Sequence, residues 1–536
     1  MTNFLAGDVS GAQVLTDNDH IYPQLWNELR QSRGATAVVG TTSECEYYCN
    51  GTDDQTEIQA ALNAASAAGG GIVHVKVGNY SLSKYIWVPS YVTLEGEGWG
   101  TVFKLADGSY VSGEASPVIQ PGGKIDENGD LKASADYTTT YGMVLRDFKV
   151  DANRAGQSGQ IANQLYGIMA QWVSGARLEN LYVINAHASG IGIWPSRLGA
   201  TQIPADCIVT GCRTENNNSS TDSQDLDAGI LASCCQQMSS RVIISDCISI
   251  GNRHGFCAED IKSTVSFNNC IATKNWNHGI SFHTAYGCAV NGGMYFLNEH
   301  DGIGYTGAGE RWITINGAQC YRNERYGIRS GNSWIINGGS VRWNGDAGIF
   351  MSNNYNNVIN GVSICGNGAS DSPTYPYGIY TKGTNITTAH AITGNFFGKD
   401  TSSEQPGYGD SQTHDIFESG VVSNVVTGNS FNTYTGLQTP VQRADVSNSI
   451  IRNNKGWVTE KSGTGTITTA ATSATITHGL DVTPTVDDIS IIGAENPTND
   501  VGTIWVDTLG ATTFKVNVEN VPGAGGFDFG WKAIVL

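Results

Sequence analysis

The chain has 536 residues, a net charge of −19, 67 Gly, only 13 Pro and 40% hydrophobic residues. That length exceeds one ordinary globular core but suits a solenoid. Gly without a three-residue period excludes collagen, and low Pro with ample apolar content excludes disorder. The acidic charge excludes an extended nucleic-acid surface, and no apolar run is long enough to span a membrane.

The N-terminal MTNFLAGDVSG lacks a basic stretch followed by an apolar run, so no signal peptide is expected. HIYPQLWNELRQ (20–31) puts Ile21, Leu25 and Leu29 at helical spacing and predicts a short amphipathic helix within an N-terminal attachment segment, 1–45. In GTDDQTEIQAALNAASAAGGG (51–71), Thr52 or Asp53 is placed to cap a helix whose stripe is Ile58, Leu62 and Ala65. The alternating IVHVKVGNYSL follows. A helix sealing the first coils of a β-solenoid, over 46–140, has this form, because an open end exposes core and strand edges.

From 141 to 458 one motif returns: Gly, an apolar residue, then alternation. It occurs at Gly167, Gly190, Gly229, Gly255, Gly279, Gly302, Gly327, Gly348 and Gly378, with gaps of 23, 39, 26, 24, 23, 25, 21 and 30 residues. Each gap holds a second apolar run, such as RVIISDCISI. A leucine-rich repeat of similar length needs recurring Leu and Asn that are not seen. Short strands repeating every ~24 residues predict a parallel β-helix, an all-β solenoid. The excess Gly is expected to serve turns that need φ > 0. Extra residues at 215–227, 368–378 and 398–415 predict loops on one face. Residues 459–536 alternate without the motif and predict a small β-sandwich-like C-terminal domain. The 12 Cys do not form a disulfide scaffold in so long a chain, and Cys247, Cys270 and Cys320 are expected as stacked buried thiols. Cys45 and Cys49 are close enough to pair or bind metal.

With the repeating Gly as reference, residues one and three past it should point inward, and those two and four past it outward. The outward row then holds Cys257, Glu259, Ser281, His283 and Arg329, with Glu259 beside His283 on adjacent coils. His254, His278 and Asp301 precede the Gly, and Asp227, Asp260, Lys262, Lys274, Glu299 and His300 lie close by. Four of the ten His fall between 254 and 300. The bland alternative is a set of solvated turn residues.

Three chemistries fit this patch. Glycoside hydrolysis needs two carboxyls about 5–9 Å apart, which Asp225 or Asp227 with Glu259 or Asp260 could supply across coils. Packed carboxylates would raise one pKa, as a general acid requires. Elimination or epimerisation of a uronate needs a base and a positive group at the carboxylate. His254, His278, His283, Lys262 and Arg329 offer both, and Ca2+ enters only in a lyase-like reading. Pure binding needs aromatic platforms and polar rims, for which Trp172, Trp194, Trp276, Tyr305, Glu299 and Asp301 are candidates. The acidic charge and the carboxylates favour hydrolysis of a surface or extracellular glycan; the His cluster favours a lyase or epimerase. No cofactor and no fixed metal is read from the residues.

GTDDQTEIQAALNAASAAGGGIVHVKVGNYSLSKYIWVPSYVTLEGEG (51–98) resembles the opening of the pectate-lyase-like superfamily of right-handed β-helices, and the chain is most similar there to bacteriophage tailspikes. FLAGDVSGAQVLTDNDHIYPQLWNELRQ (4–31) resembles particle-associated phage proteins. ATITHGLDVTPT and FDFGWKA, near the C-terminus, resemble small β modules that end such proteins. NNCIATKNWNHGISFHTA (268–285) resembles repeats of mannuronan epimerases, without their Asp-Pro-His-Glu run. NNNSSTDSQDLDAG (216–229) and RHGF (253–256) resemble polygalacturonase motifs, without the Asp pair and the Arg-x-Lys element. The resemblance implies a homotrimer, a polysaccharide partner, and an extracellular or virion-associated location.

Overall fold

A computed structural model describes residues 35–110, 116–122, 140–157, 165–195, 206–217, 227–233, 241–261, 264–307, 310–370, 373–384, 389–398, 412–432, 440–444, 448–494 and 497–535. The helix expected at 20–31, Asp225, Lys262 and most of the insertions at 215–227 and 398–415 lie outside these residues.

Three long parallel sheets of 16, 13 and 14 strands run side by side and form a right-handed parallel β-helix. One coil shows the plan. Thr264–Asn268 lies in the first sheet, Ile271–Thr273 in the second and Ile280–His283 in the third; Ala289–Asn291 then re-enters the first. The residue after the repeating Gly forms an inward ladder in the third sheet: Ile191, Ile230, Phe256, Ile280, Ile303, Ile328, Ile349 and Ile379 are in register, and Ile416, which follows Asp415, extends it. All are buried. Each such side chain contributes about 1.5–3 kcal/mol, and β-branched residues suit stacked, pleated strands.

The repeating Gly has another cause than the one expected. None of these nine has a positive φ. A Cβ on Gly255 would lie 2.5 Å from the Gly279 oxygen and 2.6 Å from the Ala272 Cβ, so the bend between second and third sheets leaves no room for a side chain. Positive φ falls instead just after the second-sheet strands, as at Lys274, Leu297, Arg322 and Trp343, and between first and second sheets. There one residue per coil, such as Asp246, Asn269, Gly292 and Gly317, takes φ of 51–70°. Only Gly, Asn and Asp enter that region at low cost.

The same second-to-third bend carries an asparagine ladder. Asn217, Asn252, Asn275, Asn298, Asn323, Asn344 and Asn367 are buried; Asn217 accepts the Ala186 N–H, and each of the other six accepts the backbone N–H of the Asn one coil earlier. Asn298 Nδ2 also donates to Asn323 Oδ1 at 2.9 Å and to the Ala272 oxygen at 3.3 Å. The ladder satisfies polar groups that the bend would otherwise leave orphaned inside the solenoid.

The N-terminal end is closed by helix α1, Gln55–Ala67, whose Ile58, Ala61, Leu62 and Ala65 enter the solenoid core. Its N-cap is Asp54, not Thr52 or Asp53. The Asp54 carboxylate accepts from Gly51 N and Ser81 N, both at 2.8 Å, which ties the helix start to the coil below it. The strand Ala35–Gly40 pairs in parallel with Gly71–Val75, so residues 35–40 are part of the first sheet. Cys247 and Cys270 occupy equivalent turns, stacked with Cys212. Cys320 lies apart from them, in a second-sheet strand between Tyr295 and Val341. Cys45 and Cys49 are free thiols. After Ile450–Arg452 the chain forms two three-stranded antiparallel sheets around a separate core of Phe514, Phe529 and Trp531. Among the described residues no helix is long and apolar enough to cross a membrane.

Candidate functional site

The outer face of the third sheet gathers most of the chemistry-bearing side chains. Residues immediately before the repeating Gly point outward, because the bend at Gly turns the strand. Among them His254, His278 and Asp301 are wholly buried, each at most 1% exposed. The His254 and His278 rings stack with centroids 5.4 Å apart, and His300 meets His278 edge-on at 4.6 Å. Asp301 Oδ2 lies 3.3 Å from His278 Nδ1, and its Oδ1 lies 3.2 Å from His300 Nδ1. Oδ1 also accepts from Tyr326 N at 3.3 Å. An Arg325 guanidinium N–H points at His300 Nε2. That donor requires a lone pair on Nε2, which puts the proton of a neutral His300 on Nδ1, facing Asp301.

Burial holds His278 down to about 3, against the pull of Asp301; the charges of His300, Arg329 and Arg325 push the same way. The imidazole is therefore neutral at ordinary pH. Burial opposes ionisation of Asp301, but His278, His300 and Arg329 outweigh it and keep the carboxyl below its usual range. The result is a neutral imidazole beside an ionised carboxylate, with the Asp301 backbone N–H directed at His278 Nδ1 at 3.4 Å; a neutral imidazole can serve as a general base. Gly304 packs closely against this pair. A Cβ there would lie 2.8 Å from Asp301 Oδ2 and 3.1 Å from His278 Nδ1.

The other expected residues separate into smaller groups. Glu259 and His283 are register partners, as the spacing indicates. Burial raises the Glu259 pKa, Asp260 adds to it, and a 2.8 Å bond from Ser233 Oγ and the His283 charge work against it. Desolvation rather than a packed carboxylate pair is thus the main cause. His283 Nδ1 is 3.4 Å from Thr306 Oγ1. Asp227 is buried and accepts from Ser189 Oγ at 3.2 Å. Burial and then the charges of Asp227 and Glu259 push the Tyr166 phenol far above its ordinary value. Trp276 and Glu299 are exposed on the rim. Tyr305, expected as an open platform, packs partly against the core, and the Arg329 guanidinium covers its ring at 4.4 Å. Three past its Gly, it follows the inward parity of that position.

His300, read from the sequence only as a neighbour of the patch, and Arg325, which the sequence reading does not name, complete the cluster. Their signal was the register NWNHG, NEHDG, NERYG, in which Asn stands four residues before Gly and aligns Asn277, His300 and Arg325.

Among the described residues two donor sets suggest a metal. The ligand atoms of His278, His300 and Asp301 lie within 4.8 Å of one another, as do those of Cys49, Asp54 and Glu57. Neither fits Ca2+, which requires oxygen ligands. In the first, Arg325 and Arg329 oppose a cation, and the proton on His300 Nδ1 occupies the ligand position. In the second, both Asp54 oxygens are held by backbone N–H groups.

The class defined by this fold is the right-handed parallel β-helix with a helical cap and its polar groups on an outer sheet face. Within it, the chain is similar to mannuronan C5-epimerase AlgE4 of Azotobacter vinelandii, at 34% identity over 118 residues, covering 20% of this chain and 19% of that protein. It is similar to AlgE5 of the same organism at 26% identity over 269 residues, covering 47% of this chain and 24% of that protein. The chain thus spans a quarter or less of the length of these relatives. The Dettilon tailspike protein shares the fold, with a TM-score of 0.52 at 12% identity, covering 93% of this chain and 94% of that one. No protein-family model matches the chain.

Proposed function

We propose that this outer face binds a uronate-containing polysaccharide and removes the proton at C5, leading to epimerisation or to elimination. His278 is the base, Asp301 orients it, and Arg329 and Arg325 neutralise the substrate carboxylate. The observation that carries the reading is the buried His278–Asp301 pair, with the imidazole neutral and only the bare backbone of Gly304 packed against it. Abstraction puts the C5–H electron pair into the carboxylate as an enolate, which cationic neighbours stabilise. Return of a proton from the opposite face inverts C5. Expulsion of the O4 substituent, which leaves with a proton, gives a C4=C5 double bond and cuts the chain. The similarity to proteins named as mannuronan C5-epimerases supports this order of preference.

Incubating the protein with uronate polymers in D2O tests the proposal. Deuterium at C5 marks epimerisation, and ultraviolet absorbance of an unsaturated uronate marks elimination. His278→Gln should abolish either. New reducing ends without that absorbance would indicate hydrolysis instead, a second reading favoured by the raised pKa of Glu259; Glu259→Gln would then stop cleavage. Firm binding with no product from any polymer would overturn both.

A further inference from the structure

One outward row of the third sheet changes character along the solenoid. Cys257 and Ser281 are register partners, and Gly304 continues their row. Arg329 follows one coil later, and then Phe350, Tyr380 and Phe417 pair in succession. Beside them, Tyr326 and Tyr377 hold the position before the repeating Gly, and Tyr375 comes from the insertion at 368–378. The six rings form one belt. Tyr326 stacks on Phe350 at 4.5 Å, Phe350 lies 5.9 Å from Tyr375 and 5.2 Å from Tyr380, and Tyr377 stacks on Phe417 at 4.2 Å with planes 5° apart. The belt has its own cluster, separate from the solenoid core, and Phe350, Tyr375, Tyr377 and Phe417 remain partly exposed.

We propose that this belt is a run of sugar-stacking subsites, which holds the units of the same polysaccharide that lie beyond the reacting one, toward the C-terminal end of the solenoid. The inference rests on the reading of His278–Asp301 as the reacting site, and three observations carry it. The belt is continuous with that site, because Tyr326 donates its backbone N–H to Asp301 Oδ1 and Arg325 lies 5.0 Å over the Tyr326 ring. Adjacent coils are ~4.8 Å apart, close to the length of one pyranose unit, so a chain along the axis places successive units on successive coils. The chemistry also changes at Arg329: before it, charge and small residues suit a carboxylate; after it, ring faces suit the apolar faces of sugars and the tyrosine hydroxyls suit their rims. The belt therefore tolerates units without a carboxylate, while the unit over Gly304 requires one.

The test uses the full chain carrying His278→Gln, so that polymer is bound without turnover. Affinity is measured for uronate oligosaccharides of increasing length and for the polymer, with and without Tyr377→Ala, Phe417→Ala or Phe350→Ala. Loss of a ring should weaken polymer binding about tenfold, and the loss should grow with ligand length. Equal affinity of a folded belt variant and its parent at every length would overturn the proposal. Phe350 touches three other rings; if its variant fails to fold, the partly exposed Tyr377 gives the decisive comparison. Sedimentation of the same variants separates the alternative occupant: dissociation of an oligomer on loss of Tyr377 or Phe417 would make the belt an interface between copies and overturn the subsite assignment. Full activity of His278→Gln would instead defeat the reacting-site reading, while the length dependence would still report on the belt.

Discussion

Acid should loosen this solenoid well before its carboxylates protonate. Burial holds His278 down to about 3 and His390 down to about 4, against an ordinary value of 6.5. Both are at most 3% exposed. Below pH 6.5 the unfolded chain binds protons that these folded sites refuse. Their contribution to stability is complete above 6.5 and is lost at ~1.4 kcal/mol per pH unit per histidine as pH falls. At pH 5 the loss is about 2 kcal/mol each, or about 4 kcal/mol together. It continues to about pH 4 for His390 and about pH 3 for His278. Coils of a solenoid open locally, so hydrogen exchange resolved along the chain at pH 7, 6 and 5 is the appropriate measure. Protection should fall with acid around residues 278 and 390, and His278→Gln and His390→Gln should each remove the dependence nearest their own position. Equal protection at pH 7 and 5, or an unchanged slope in both variants, would refute the reasoning. The same neutral His278 predicts that activity on uronate polymers persists below pH 6.5, where an ordinary histidine base would be protonated.

Three further outcomes are expected. Asn298→Ala strands Asn275 N and takes one of the two acceptors of Asn275 Nδ2, and should cost about 2–3 kcal/mol; a chemical denaturation midpoint near that of the parent would contradict the ladder's role. Asp301→Asn should lower kcat at least about a hundredfold with little change in KM, since the carboxylate orients the base without touching substrate. Gly304→Ala places a methyl 2.8 Å from Asp301 Oδ2, so the buried pair must shift; activity should fall, and a fully active variant would show that the geometry of this pair does not matter to the reaction.

The solenoid was legible because its repeat is written locally. The residue after each repeating Gly is Ile at nearly every coil, and parity placed that ladder inward. The same parity set Glu259 beside His283. It also exposes where sequence reasoning failed: Tyr305, three past its Gly, obeys the inward rule and not the platform role given to it. The helix cap shifted to Asp54 because its partner, Ser81 N, lies 27 residues away. The buried state of Asp301 was likewise invisible, since a residue before a turn Gly reads as solvent-facing until the neighbouring coils are stacked over it.

By itself, the sequence determined the period, the inward row, the capping helix and the change of character after residue 458. These follow from alternation and spacing, which are properties of adjacent residues. Tertiary structure decided which side chains meet across coils 21–26 residues apart, among them His278 with Asp301, Arg325 with His300 and Phe350 with Tyr326. It also decided their protonation, because desolvation depends on what covers a group, and that cover comes from coils distant in the chain.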